Sequence, residues 1–167
     1  MLDPFGTAAD RFRLPATGPT DDMHPGWPES TPFVRLPASA VFPSGARMRL
    51  RPLLRSDGHE WRRQRIEDES FLRSVEPTQA APWAAAHSQQ AWWNHLMYLR
   101  TAAREALVVP LVIEVEGKFA GQVTLGNIQH GSIRDCWIGY WVYSAVHGAG
   151  VATAATALGV DHAFGRV

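Results

Sequence analysis

Lysine is almost missing from this chain: of its 16 basic residues only Lys118 is a lysine, and the others are arginines. Charge of one sign is missing too, because 16 acidic residues cancel the basic ones, leaving no electrostatic case for a nucleic-acid partner. The single cysteine, Cys136, excludes an intramolecular disulfide framework and any zinc site built from several thiolates. It is expected as a small core residue within a strand. The seven histidines (24, 59, 87, 95, 130, 147 and 162) form no pair at metal-ligand spacing and are expected in surface or capping roles. There is no Gly-x-Ser-x-Gly nucleophile elbow. No apolar run approaches the roughly 18 residues of a membrane span, and MLDPFGTAADRF is acidic and proline-interrupted, unlike a secretory signal. These absences predict a cytoplasmic protein without metal, membrane or direct nucleic-acid partner.

What is present fits one domain with a tail: 167 residues, 46% of them apolar. Arginine-rich stretches such as RMRLRPLLR and WRRQR, beside abundant alanine, read as coding bias before they read as a binding patch. Residues 1–43 hold Pro4, Pro15, Pro19, Pro25, Pro28, Pro32, Pro37 and Pro43 with no sustained apolar periodicity, which predicts a flexible extension. Order is expected over residues 44–167. ARMRLRPL reads as a first strand. Asp57, with Glu60 three residues on, forms a capping-box arrangement opening a short helix with Trp61 and Ile66. SVEPTQAAPW is a loop. From Ala84 to Ala106 there is no proline or glycine, and Trp92, Leu96, Leu99 and Ala103 recur at helical spacing. Trp92 and Trp93 read as core and half-buried wall.

LVVPLVIEVEG, KFAGQVTLGNI and SIRDCWIGYWV are then three β-rich runs with connections short enough to force antiparallel neighbours. AVHGAGVATAATALGVDHAF follows as a helix rich in small residues. The predicted order is β, α, α, β, β, β, α. A parallel strand normally follows such a helix, so the chain reads as cut off after it.

The segment that carries chemistry is IGYWVYSAVHGAGVATAA, a strand, a glycine turn and a helix start. Gly148 and Gly150 remove Cβ atoms where backbone N–H groups can approach a ligand, at a helix end carrying partial positive charge: a pyrophosphate cradle. A Walker loop fails for want of a lysine. A dinucleotide fingerprint over Gly148, Gly150 and Thr153 lacks the acidic residue some 20 positions later. The third reading is a coenzyme A loop. The segment resembles motif A of the GNAT superfamily of N-acetyltransferases, Gln/Arg-x-x-Gly-x-Gly/Ala, standing here as His147-Gly148-Ala149-Gly150-Val151-Ala152. Ile138-Gly139-Tyr140-Trp141-Val142 is similar to the fourth strand of the ribosomal-protein alanine/serine N-acetyltransferases. MRLRPLLRSDGHEW and FLRSVEPT resemble that group's first strand and helix and its following loop.

The resemblance implies a mixed α/β acyl-coenzyme A N-acyltransferase fold, a largely antiparallel sheet flanked by helices, here lacking its last strands and helix. It implies direct transfer from acetyl-coenzyme A, without metal, to an amine: a protein N-terminus, such as that of a ribosomal protein, or a small molecule. By similarity, the main chain of Trp141, Val142 and Tyr143 pairs with the pantetheine arm, with an oxyanion donor near Trp141 or Val142. The amides of His147, Gly148, Ala149, Gly150, Val151, Ala152 and Thr153 hold the pyrophosphate. Relatives often carry a glutamate where this chain has Trp137; Asp135, on the same strand face, is the candidate base acting through a water, and Glu76 the candidate for meeting the acceptor amine. A peptide α-amine ionises near ~7.8 and a lysine near ~10.4, a gap of roughly 3.5 kcal/mol, so the missing glutamate favours the N-terminal acceptor. A chain ending after the cofactor helix is expected to be weak or inactive, to retain coenzyme A binding at most, and to self-associate, as a homodimer, through an exposed strand edge.

Overall fold

Residues 25–167 are described by the computed structural model. Five strands, β1 (Val34–Leu36), β2 (Ala46–Pro52), β3 (Val108–Val115), β4 (Lys118–His130) and β5 (Arg134–Val142), pair in the order β1-β2-β3-β4-β5. All four pairings are antiparallel. The β3–β4 turn at Glu116 and Gly117 has φ of 50° and 76°, the left-handed pair that a two-residue hairpin needs to match strand twist. Helices α1 (Gly58–Glu67), α2 (Glu69–Leu72), α3 (Trp83–Ala86) and α4 (Gln89–Arg104) precede β3, and α5 (Val151–Arg166) follows β5.

Alternation along the strands makes two cores. One, under α5, contains Met48, Leu50, Leu111, Ile113, Val123, Val151 and Ala155. The other, under α1 and α4, contains Leu53, Trp61, Trp92, Leu96, Val112 and Phe119. The expected mixed α/β fold with a largely antiparallel sheet is observed. Cys136 is half-buried beside the first core, and burial, then the Asp135 carboxylate, push its thiol up, away from nucleophile chemistry.

Three local expectations differ. Residues 25–43 are not a loose extension: β1 covers the edge of β2, and Trp27, Val34 and Phe42 pack on the α5-side core. Thr31 donates its N–H to the Leu50 carbonyl at 2.9 Å, and its Oγ1 accepts from the Leu50 N–H at 2.9 Å. His162 of α5 reaches the Gly26 carbonyl at 2.7 Å, and Arg166 pairs with buried Glu29 at 2.7 Å. These anchors are irregularly spaced, so no periodicity betrays them. The expectation for residues 1–24 lies outside the described residues.

The Asp57 carboxylate, second, does not cap α1. It accepts from the Leu54 N–H at 2.7 Å within a 3-10 turn and from Arg51 at 2.8 and 2.9 Å, while Glu60 pairs with Arg63. Ile66 is correspondingly exposed on α1 rather than in the core. Third, the stretch from Ala84 breaks at Ser88, whose hydroxyl accepts from Ala91 N–H and starts α4 afresh. Trp92, Leu96, Leu99 and Ala103 are buried as their spacing predicts.

Replacing Thr31 by valine keeps the shape and leaves the buried Leu50 N–H without its acceptor. Urea denaturation should show a loss of about 1–3 kcal/mol; a change within about 0.3 kcal/mol would mean that residues 25–43 do not brace the sheet.

Candidate functional site

Among the described residues β5 has no neighbour on its outer side. Tyr143 donates its N–H to the Ala120 carbonyl at 3.0 Å, and Gln122 lies directly opposite Trp141. Because main-chain groups alternate along an antiparallel strand, Tyr143, Trp141 and Gly139 face β4, while Val142 and Tyr140 face the open edge. Of the three main-chain positions expected to meet a pantetheine arm, only Val142 therefore presents its N–H outward. Its carbonyl accepts from His147 Nε2 at 2.9 Å, which requires that nitrogen to carry the proton. His147 thus contributes its ring as well as its main chain.

Beyond it the turn opens. Gly148 and Gly150 have φ of 75° and 77°, and a Cβ built on either would meet nothing within 4 Å. Space and accessible backbone coincide there. Gly150 leads directly into α5, whose first turn carries no acidic residue, so the N–H groups of Val151, Ala152 and Thr153 meet no opposing negative charge within that turn. Ala149 is buried and anchors the loop to the core, whereas Gly148 and Gly150 stay at its rim.

The end of β5 is pinned by α1. Buried Asp68, at the C-terminus of α1, accepts from the Ser144 N–H at 2.8 Å and from the Ser144 hydroxyl. The Tyr143 hydroxyl donates to Glu67 and accepts from Arg63 at 3.2 Å; the Glu67 carboxylate beside it raises the phenol's pKa. Two carboxylates at one helix end thus aim the segment that joins the strand edge to the glycine turn.

The opposite face of β5 packs on an aromatic and basic cluster that the sequence does not announce. Trp61 of α1 stacks on His95 of α4 at 5.4 Å and meets His87 at 5.3 Å; Trp83 lies 4.2 Å from His87. The Arg65 guanidinium lies within 6 Å of the rings of Trp61, Trp83 and Trp141, at 5.4, 5.8 and 5.2 Å. Among the described residues, the buried Trp61 Nε1, Gln64 Oε1 and Arg65 Nε of α1 have no hydrogen-bond partner. On β4, Gln122 accepts from His95 Nε2 at 3.3 Å and donates to Thr124 Oγ1 at 3.1 Å. The Trp137 indole lies across Gly126 and Gly139, where a Cβ would stand 2.3 and 2.8 Å from its carbons.

Of the two carboxylates singled out by sequence, one lies far along β5 and the other is paired within the aromatic cluster. Asp135 is exposed opposite Gln129, near the hairpin end of β5 and six residues, about 20 Å, from Trp141. Glu76 is bound by Arg65, with one contact at 2.5 Å, so it fixes the loop to α1 instead of standing free for an ammonium. The cofactor-side residues, from Trp141 to Thr153, do converge. His87 and His95 were expected on the surface; both are drawn inward by the surrounding indoles. Only the TrpTrp-x-HisLeu pattern of α4, which puts His95 three residues from the buried Trp92, could have hinted at this.

The acetyltransferase (GNAT) domain family model matches residues 47–167. A structure of Mycobacterium smegmatis RimJ with CoA-disulfide is similar over 85% of this chain and 65% of that one, with 41% identity and a TM-score of 0.78. The ribosomal-protein-S5-alanine acetyltransferase of Vibrio fischeri shares 19% identity over 78% of this chain and 67% of its own, TM-score 0.62. RimL, a ribosomal L7/L12 alpha-N-protein acetyltransferase in complex with coenzyme A, shares 17% over 77% and 67%, TM-score 0.58. These last two likenesses concern the fold. This chain spans 65% of the mycobacterial protein's length. No protein among the curated sequences matches significantly.

Desolvation by burial lowers the pKa values of His87, His95 and His162, so each resists protonation in the folded chain. The unfolded chain takes up those protons as pH falls below about 6.5, and stability then declines by up to about 1.4 kcal/mol per pH unit per group. Urea midpoints at pH 7.5, 6.5 and 5.5 should fall in that order, with the steepest loss below pH 6.5; a flat profile would contradict the burial of these rings.

Proposed function

The chain belongs to the GNAT acetyltransferase family, and from that membership we propose that it transfers the acetyl group of acetyl-coenzyme A to an amine, the α-amine of a protein N-terminus being the favoured acceptor. The observation that carries this reading is the outward Val142 amide standing beside an open Gly148–Gly150 turn at the start of α5. The residues fit the group. The turn's amides and the first turn of α5 offer N–H donors and positive dipole to a pyrophosphate, and the free edge of β5 offers main chain to the amide-bearing pantetheine. Bound acetyl-coenzyme A supplies an activated acyl thioester. In this reading the Val142 N–H is the donor toward its carbonyl oxygen, where negative charge grows as the amine adds. No group of three or more metal-ligating side chains occurs among the described residues, and the chemistry calls for none.

A peptide acceptor suits the aromatic cluster beside β5, whose indoles and Trp61, Gln64 and Arg65 atoms, unpartnered among the described residues, combine apolar cover with hydrogen-bonding capacity. The 41% identity to RimJ supports a ribosomal-protein acceptor and, with it, a cytoplasmic setting. No described helix is long and apolar enough to cross a membrane. An α-amine near ~7.8 requires little help to lose its proton, in keeping with a site whose sequence-predicted carboxylates are distant or paired.

Calorimetry with acetyl-coenzyme A should show micromolar binding that Gly150→Trp abolishes, with circular dichroism confirming that the variant folds. Wild-type protein should then acetylate peptides beginning with Ala or Ser in preference to polyamines or aminoglycosides. Binding unaffected by Gly150→Trp would displace the cofactor site; a preference for polyamines would make the acceptor a small molecule.

A further inference from the structure

Acetylation of an ammonium group needs a place for a proton, and few titratable groups of the cluster beside Trp141 offer one. Glu76 is bound to Arg65. Arg65 is a permanent cation. His87 bonds through its ring to the Trp83 carbonyl at 2.7 Å, ahead of α4, whereas His95 bonds to Gln122 of β4, directly opposite Trp141. Asp135 lies at the far end of the strand. His95 remains.

Its surroundings fix its chemistry. The Gln122 side chain donates through Nε2 to Thr124 Oγ1, at 3.1 Å, and turns its Oε1 toward His95 Nε2, at 3.3 Å. An amide oxygen only accepts; Nε2 must therefore carry the hydrogen and Nδ1 must keep its lone pair. No hydrogen bond to Nδ1 occurs among the described residues. Gln122 is also the residue directly opposite Trp141, one position before the outward Val142 amide. The imidazole consequently sits one strand in from the open edge, on the face that α5 does not cover.

We propose, resting on the acetyl-transfer reading above, that His95 is the proton acceptor for the incoming amine, with Gln122 and Thr124 as positioning residues that hold it in the Nε2–H form. His95 Nδ1 takes one proton from the acceptor ammonium, directly or through a water. The freed lone pair forms the N–C bond to the thioester carbon; the C–S bond breaks with its electron pair on sulfur, and a second nitrogen proton passes to that thiolate. His95 then releases its proton to solvent, so the balance is amide, free thiol and one proton. Burial lowers the ring's pKa, keeping it unprotonated at neutral pH. The groups facing it are Arg65 on α1, which adds to that lowering with His87 ahead of α4, and Glu76 on the loop, which opposes it.

The test follows the full chain through two readouts. In a 15N-imidazole NMR titration, His95 should show protonated Nε2 and bare Nδ1 at pH 7.5, and a coenzyme A–alanyl-peptide bisubstrate conjugate should shift the Nδ1 resonance. In acetylation of an Ala-initiated peptide, His95→Gln should lower kcat about 100-fold while acetyl-coenzyme A affinity stays within about twofold. Gln122→Glu, which gives the ring an anionic partner and raises its pKa, should move the acid limb of kcat/KM to higher pH. A protonated Nδ1 in the free chain, an Nδ1 signal unmoved by a conjugate that calorimetry shows to be bound, or a His95→Gln variant keeping more than a third of kcat overturns the assignment. Binding without turnover, with Nδ1 still responding, supports His95 at the acceptor site while removing the proposed activity of this chain. A chain that binds neither acetyl-coenzyme A nor the conjugate overturns both.

Discussion

Between Val112 and Glu114 the β3–β4 ladder slips by one residue, and the geometry beyond that slip depends on Gly121 allowing it. Gly121 has φ of 141°, and a Cβ there would lie 2.2 Å from the Trp141 carbonyl oxygen. The extra residue on β4 returns Gln122 to the α1–α4 face beside Phe119. Because β5 takes its register from β4, the same slip decides that Trp141 faces the aromatic cluster and that Val142 turns its amide to the open edge. Without the extra residue the faces would be exchanged and the site scattered.

From that constraint the two halves of the site follow as opposite sides of one strand. The outer edge and glycine turn are mostly backbone, held by Asp68 and Glu67 at the end of α1. The inner face is made of side chains: indoles, imidazoles and an arginine bound to a loop carboxylate. A backbone-built subsite suits a ligand that is the same in every turnover. A side-chain-built face can be reshaped by substitution, which is where acceptor choice would reside.

What the sequence made legible is what local chemistry dictates. The three-stranded meander could be read because Glu116-Gly117 demands a tight hairpin, and the glycine turn because missing Cβ atoms have few other uses. The capping hydroxyl of Ser88 and the carboxylate of Asp57 were visible as residue types, but which N–H each would satisfy depended on neighbours such as Arg51. Three-residue β1 is too short for a periodic signal. The meeting of His95 with Gln122 joins residues 27 apart through a register slip, and no pattern in the chain encodes the parity that the slip creates. Asp135 shares a face with Trp137, as alternation requires, yet face is not place: distance along the strand removed it from the site.

The pairing of Glu29 with Arg166 spans 137 positions, and His162 with Gly26 spans 136. A chain made from its N-terminus therefore produces the carboxylate of Glu29 long before the guanidinium that neutralises it. Until α5 has emerged this ion pair cannot form, and the segment has its contacts to β2, through β1 and through Thr31 with Leu50, without those to α5. The last helix thus acts as a timer for the first segment: closure of the sheet's outer flank reports that the whole glycine turn has already been synthesised.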